Sequence, residues 1–305
     1  MNAPLAYFGG RFLPFHEAGL PLHDAGFVSG ATVVDNARTY SRKLFRWADH
    51  LARFRRDCGT CFVPLEATDA ELTEAAEVLV ANNAQLLPAS GELHLVTFAT
   101  PGPLGFYAGD SANGPATLGM VTYPLPVARY RPFFTDGATL AVAGQAAPRT
   151  DAILPPTVKH RSRMYWHVAD HKARELARSP DALAVSVENG ALTETSIANL
   201  LAVVDGAVVS PPREEVLDGI SLKVTRELCT ELGLAFCEEP IRLSDLARVE
   251  ELMLTGTGFG IASVSAVHSH GGESLCIPWP GPVYRKLLAA WSDLTGVDIA
   301  KQFTG

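Results

Sequence analysis

The sequence predicts an α+β fold of two domains, built mainly from antiparallel sheets with packed helices. Two observations carry this. Asn189-Gly190 and Asp205-Gly206 each separate two short β-rich runs. Both dipeptides suit a two-residue hairpin turn, whose central residues take positive φ. Successive hairpins make a meander, and no βαβ crossover of a doubly wound sheet is expected. The other observation is size and polarity. With 305 residues, 47% hydrophobic and 19% charged, the chain can bury two separate cores.

The elements follow in order. Residues 5–15 read as strand, Gly9-Gly10 turn, strand, and residues 32–40 as a further strand that returns at Phe45 after a polar turn. Helices are expected over 47–58 and 69–84, then strands over 94–99 and 117–123. Pro124, Pro126 and Pro132 crowd the next ten residues. Proline fits neither a central strand nor a helix interior, so this stretch reads as an extended connector. The expected division is therefore an N-terminal α/β domain over 1–122, a linker over 123–133 and a C-terminal domain over 134–305. In the last of these, strands are expected over 182–187, 191–195, 200–204 and 207–209, with helices over 162–177, 221–233 and 283–295.

Composition excludes several classes of function. No run of about 18 apolar residues exists to span a membrane. The start, Met1-Asn2-Ala3-Pro4-Leu5, lacks the basic flank and apolar core of a secretion signal. Five cysteines, an odd number, argue against a disulfide framework and for a reducing cytoplasm. A net charge of −8 opposes a nucleic-acid surface, which needs clustered Lys and Arg.

Several motifs compete for chemistry. Cys58-Gly59-Thr60-Cys61 has the spacing of a redox or metal half-site, but no second pair completes a zinc site and the context is a helix end. It reads as two incidental thiols, and no metal is expected. His167 and His171 share a helix face, but Val168 replaces the glutamate a metalloprotease needs, so they read as surface histidines. His268 and His270, beside Gly271-Gly272, read as loop. Gly256-Thr257-Gly258-Phe259-Gly260 lacks the spacing of a dinucleotide fingerprint, yet its small residues let backbone N–H groups approach a phosphate. Leu217-Asp218-Gly219-Ile220-Ser221 leads into a helix with Ser221 as its expected N-cap, a second anion site.

Only six of the 25 basic residues are lysines, and five lie in polar turns, on helices or near the tail. Lys159 differs. An extended, partly apolar approach, Ile153-Leu154-Pro155-Pro156-Thr157-Val158, delivers it just before a helix. Desolvation there would lower its pKa and make a usable amine nucleophile, and a surface lysine at a strand end is the alternative. Glu194, among Thr195, Ser196 and Asn199, could pair with a protonated ring nitrogen or cap a turn.

Taken together, these segments resemble the class IV aminotransferases, the fold-type IV pyridoxal-phosphate enzymes. That family includes D-amino acid and branched-chain transaminases and aminodeoxychorismate lyase. The resemblance runs from about Asp24 to Gln302. Asp24 to Gly30 resembles the opening D-x-G-x-x-x-G, and His50-Leu51-Ala52-Arg53 the H-x-x-R whose arginine holds the cofactor phosphate. Lys159 matches the Schiff-base lysine, and Lys159 to Arg163 is similar to the lyase branch. Thr193 to Asn199 resembles the T-E-x-x-x-x-N stretch whose glutamate contacts the pyridine nitrogen. Residues 217–221 and 255–257 resemble the two phosphate loops.

The resemblance implies a D-amino acid aminotransferase-like two-domain fold and pyridoxal 5′-phosphate as cofactor. Lys159 would be the catalytic amine. Arg53, Glu194, Leu217, Ile220, Ser221, Gly256 and Thr257 would bind the cofactor, with Leu217 against its ring. It also implies a homodimer, with the pocket between the two domains and a loop of the neighbouring subunit completing it.

Alternation along residues 34–40 puts Val34, Asn36, Arg38 and Tyr40 on one strand face as pocket candidates. The chain departs from the D-amino acid enzymes at Val34, where they carry tyrosine, and over 100–107, which lacks their Arg-x-His carboxylate trap. Arg38 or Arg149 is the expected replacement. Met164 stands where branched-chain enzymes carry a tyrosine. The leading reading is a transaminase between an amino acid and a 2-keto acid, D-amino acids slightly favoured. An aminodeoxychorismate lyase-like enzyme is the runner-up, and a non-enzymatic binding protein on the same scaffold is third.

Overall fold

A computed structural model of the chain describes residues 3–142, 153–269 and 274–305. Two units emerge: Met1–Leu125 with Val158–Ser162, and Pro126–Thr157 with Arg163–Gly305.

In the first unit the elements are β1 (Leu5–Phe8), β2 (Arg11–Pro14), α1 (Ala25–Val28), β3 (Val33–Tyr40), β4 (Lys43–Leu44), α2 (Trp47–Thr60), α3 (Asp69–Asn83), β5 (Leu93–Thr100), α4 (Gly105–Ala108) and β6 (Thr117–Pro124). The six strands form one antiparallel sheet in the order β2-β1-β6-β5-β3-β4. α3 starts on a full capping box, in which Thr68 and Glu71 satisfy each other's backbone N–H groups. Its apolar face and that of α2 pack on one side of the sheet: Leu51, Leu72, Ala75, Ala76 and Leu79 meet Ala37, Leu95 and Met120. Each buried leucine contributes about 1.5–3 kcal/mol. Because strand side chains alternate, this packing assigns the odd-numbered residues of β3 to the helix side. Val34, Asn36, Arg38 and Tyr40 then share the opposite face, as expected.

The second unit contains α5 (Val127–Thr135), β7 (Ala138–Ala141), α6 (Met164–Ala177), β8 (Leu183–Glu188), β9 (Ala191–Thr195), β10 (Asn199–Val204), β11 (Ala207–Ser210), α7 (Ile220–Glu231), β12 (Phe236–Glu238), β13 (Ile241–Arg242), β14 (Glu251–Gly256), β15 (Gly260–His268), β16 (Ser274–Cys276), α8 (Pro282–Thr295) and α9 (Ile299–Thr304). Both anticipated hairpins are present. Asn189-Gly190 has φ of 48° and 79°, and Asp205-Gly206 has 49° and 75°. The strands β10-β14-β15-β7-β8-β9 return on themselves, because the pair Glu194↔Asn199 joins β9 to β10.

Pairing is mainly antiparallel, as expected, and three pairs are parallel: β7 with β8, β7 with β15, and β11 with β12. A parallel neighbour needs a long crossover, and α6 supplies it between β7 and β8. One expectation needs correction: the proline-rich stretch is not extended, since Val127–Thr135 is helical with Pro132 inside it. The hydrogen bond Pro132 cannot make is offset by aromatic burial. Tyr130 packs 5.3 Å from Phe259 and 5.9 Å from Phe303, and Phe133 packs 5.4 Å from Phe259.

Residues 158–162, which the sequence places with the C-terminal domain, belong instead to the first unit. They run beside β3 through an isolated bridge between Val33 and His160. Their return is what positions Lys159.

Candidate active site

Lys159 is held by its main chain. Its carbonyl accepts the Val34 N–H at 3.0 Å, and its own N–H donates to Asp57 Oδ2 at 2.9 Å. On either side, Arg161 N–H donates to the Thr32 carbonyl at 2.9 Å and Ser162 Oγ to the Gly30 carbonyl at 2.7 Å. Val158 is buried and Lys159 half-buried, so the lysine leaves an apolar, fixed base. Burial pushes the Asp57 carboxyl above the usual carboxylate range, against the opposing pull of the Lys159 N–H and Arg56.

One turn before Asp57 on α2 lies Arg53. With His50 it encloses Asp35 of β3: Arg53 Nε donates to Asp35 Oδ2 at 2.8 Å and Nη2 to Oδ1 at 3.0 Å, and His50 Nδ1–H donates to Oδ1 at 2.6 Å. All three side chains are buried. Burial pushes the Asp35 carboxyl up, but Arg53 and His50 outweigh it and hold the group well below the usual range. His50 is pushed down by burial, with further repulsion from Arg53 and Lys159. It is therefore neutral near pH 7, a hydrogen-bond donor, and Arg53 is the charge partner of Asp35. The anticipated phosphate arginine thus has two donors spent on a fork that fixes its plane.

On the other face of β3, the Arg38 guanidinium lies 3.8 Å above the Tyr40 ring and its Nε donates to the Thr39 carbonyl at 3.0 Å. Asn36 Oδ1 and the Tyr40 hydroxyl are buried without a hydrogen-bond partner among the described residues. Val34 is buried beside them. Arg149 lies outside the described residues.

In the second unit, six anticipated positions converge at one end of the closed strand ring. Glu194 stands opposite Asn199 where β9 meets β10, and Asn199 opposite Thr255 of β14. Glu194 Oε2 accepts the Leu217 N–H at 3.1 Å, and Asn199 Nδ2 donates to the Leu217 carbonyl at 2.9 Å. The two side chains therefore pin the loop that feeds α7. The N-cap of α7 is Gly219, with no side-chain cap, and Ser221 lies inside the first turn, which corrects the expected Ser221 cap. The reason is steric: a Cβ on Gly219 would sit 2.1 Å from Asn199 Oδ1. A Cβ on Gly256 would likewise approach the Ile197 carbonyl to 2.9 Å. Thr257, half-buried, follows in the turn between β14 and β15.

This arrangement fits a phosphorylated pyridine cofactor. The first turn of α7 presents main-chain N–H groups without a competing cap, which suits a phosphate. The loops beside it are stripped of side chains where backbone must come close. Glu194, in this unit, is an acid of the kind a ring nitrogen requires, and Lys159, in the first unit, is an amine of the kind an aldehyde requires.

The remaining motifs lie elsewhere. Cys58 is buried, and burial pushes its thiol up to about 12. Among the described residues no three His, Cys, Asp or Glu side chains are grouped to hold a metal. His167 and His171 are exposed on α6, and His268 ends β15 with Nδ1 2.8 Å from Ser274 Oγ. His270, Gly271 and Gly272 lie outside the described residues. No helix among the described residues is long and apolar enough to cross a membrane. Sequence reasoning missed Asp35 and Asp57. Asp57 could have been found four residues after Arg53 on one helix face, and Asp35 as the lone carboxylate at a core-facing position of an apolar strand.

Comparison with known proteins gives the chain a family. The chain is 24% identical over 94% of its length to a putative branched-chain-amino-acid aminotransferase of Methanocaldococcus jannaschii, 95% of which is covered. It is 23% identical over 93% of its length to a D-alanine aminotransferase of Bacillus licheniformis, 94% of which is covered. Its fold matches the branched-chain aminotransferase of Thermoproteus uzoniensis, solved with norvaline, at a TM-score of 0.80 and 21% identity, covering 95% of this chain and 94% of that one. A further branched-chain amino acid aminotransferase of like fold, at a TM-score of 0.78, is solved with pyridoxamine 5′-phosphate. The family model for amino-transferase class IV matches residues 32–267, and the chain belongs to that family of pyridoxal-phosphate-dependent transaminases.

Proposed function

We propose that this class IV aminotransferase moves an amino group between an amino acid and a 2-keto acid, using Lys159 as its reactive amine and favouring D-amino acids slightly. The observation that carries the reading is the family match over residues 32–267, which contains Lys159, Glu194 and both loops of the glycine-lined cradle. Bound pyridoxal phosphate supplies an electron sink for the pair left behind when the substrate α-proton departs.

The chain's own residues do the rest. Lys159 Nζ would hold the cofactor and, as a free amine, would be the base and acid that moves the substrate α-proton. Glu194 would pair with the ring nitrogen and favour its protonated form. Arg53, held flat by Asp35, would bind the phosphate together with the first-turn N–H groups of Ile220 and Ser221 and the Thr257 loop. Leu217, its backbone pinned by Glu194 and Asn199, would pack against the ring.

The D-amino acid preference is supported by the match to a D-alanine aminotransferase over 93% of the chain, and by Met164 in place of the branched-chain tyrosine. Arg38 and Asn36 supply the substrate carboxylate with polar groups from one strand face. All five cysteines are unpaired thiols, which supports a reducing cytoplasm. The exposed aromatic pair Phe106 and Tyr107 supports a homodimer, and a one-chain mass in solution would argue against it.

The deciding experiment has two steps. Protein supplied with pyridoxal phosphate is reduced with borohydride and peptide-mapped, and the label is expected on Lys159. D-alanine and L-leucine are then tested in single turnover. Conversion of the visible band to the pyridoxamine form, faster with D-alanine, is the expected result. A colourless protein, or a label on another lysine, refutes the reading.

A further inference from the structure

Asp57 lies outside the chemistry just described, yet its fully buried carboxylate contacts the backbone of the reactive lysine. We propose that Asp57 is a positioning residue: it fixes the peptide N–H of Lys159 and thereby the direction in which Nζ leaves the main chain. The inference rests on Lys159 being the cofactor lysine.

Three features support it. Both main-chain groups of Lys159 are held within one unit, the carbonyl by Val34 of β3 and the N–H by Asp57 of α2. The lysine's base is thus clamped between a strand and a helix, although residues 158–162 form no regular element of their own beyond a bridge. Next, the two carboxylate oxygens are divided: Arg56, with a side chain 43% exposed, reaches Oδ1 at 2.9 Å, whereas Oδ2 accepts the Lys159 N–H. Finally, Asp57 and Arg53 stand one turn apart on α2. One rigid helix therefore aligns the amine with the arginine assigned to the phosphate. A reacting group misplaced by about 1 Å loses on the order of 100-fold in rate.

The test compares Asp57→Ala, Asp57→Leu and Asp57→Asn. Leucine fills the volume without an acceptor and carries the test if the alanine variant does not fold. Asparagine keeps an oxygen for the Lys159 N–H while Arg56 turns to water. In apoprotein, amide exchange at Lys159 is expected to quicken at least about tenfold in the alanine or leucine variant, with α3 amides unchanged. In the loaded enzyme kcat is expected to fall about 10- to 100-fold, with donor KM within about threefold. Asparagine should restore both readouts to within about threefold of the parent.

Unchanged exchange in the alanine and leucine variants, or an asparagine variant as impaired as they are, overturns the proposal. Borohydride mapping of the parent protein separates the two possible failures. A label on another lysine removes both readings. A label on Lys159 with an indifferent Asp57 removes only this one.

Discussion

Replacing Asp35 by alanine removes an acceptor that takes three charge-assisted hydrogen bonds, at 2.6, 2.8 and 3.0 Å, inside the first unit. Arg53 has a side chain only 4% exposed, so its guanidinium cannot regain water once the fork is broken. A buried charge stripped of its partner costs about 3–5 kcal/mol. The orphaned His50 N–H overlaps with that cost and is not added to it. At about 3 °C per kcal/mol, the melting temperature should fall by roughly 9–15 °C. The assay is calorimetry or urea denaturation of the apoprotein, because bound cofactor would add its own stabilisation.

The same experiment has a pH arm. The folded-state pKa of Asp35 lies below its unfolded value of about 3.9, so the unfolded chain binds the proton more readily. The stabilisation is therefore complete above that unfolded value and is lost as pH falls through it towards the folded one. The gap between parent and variant should be full at pH 7 and shrink below about pH 4. A loss under about 1 kcal/mol at pH 7, or a gap that stays constant down to pH 2, would refute the account of Asp35 as the partner that holds Arg53.

Three further outcomes are expected. Glu194→Gln keeps an acceptor for the Leu217 N–H but removes the negative charge, so cofactor affinity should change little while single-turnover transamination slows about 100-fold or more; turnover within threefold would remove Glu194 from the chemistry. Arg38→Ala should raise the donor KM by about tenfold, the worth of one charge-assisted contact, and an unchanged KM would exclude Arg38 as the carboxylate partner. Iodoacetamide at pH 8 should label exposed Cys276 and spare Cys58 and Cys229 until denaturant is added, since burial pushes those two thiols up to about 12 and about 11; early labelling of Cys58 would contradict the buried helix end.

What could be read from the chain alone was whatever depends on local chemistry. Asn189-Gly190 and Asp205-Gly206 announced their hairpins because positive φ at two adjacent residues is a property of those residues, wherever they sit in a fold. Alternation along β3 placed Arg38 and Asn36 together, because a strand's side-chain period is fixed by its backbone. Lys159, Glu194 and the two loops were legible as spaced residue types matching a family.

Tertiary structure decided what depends on a distant partner. Pro132 sits in a helix because Tyr130 and Phe133 find Phe259 and Phe303, more than a hundred residues on. Gly219 displaces Ser221 from the cap because Asn199 occupies the space a side chain would need. Residues 158–162 leave the C-terminal part because Thr32, Val34 and Asp57 offer their backbone the hydrogen bonds it must make. Asp35 and Asp57 are otherwise two acids among 33, and only the groups folded against them give them work.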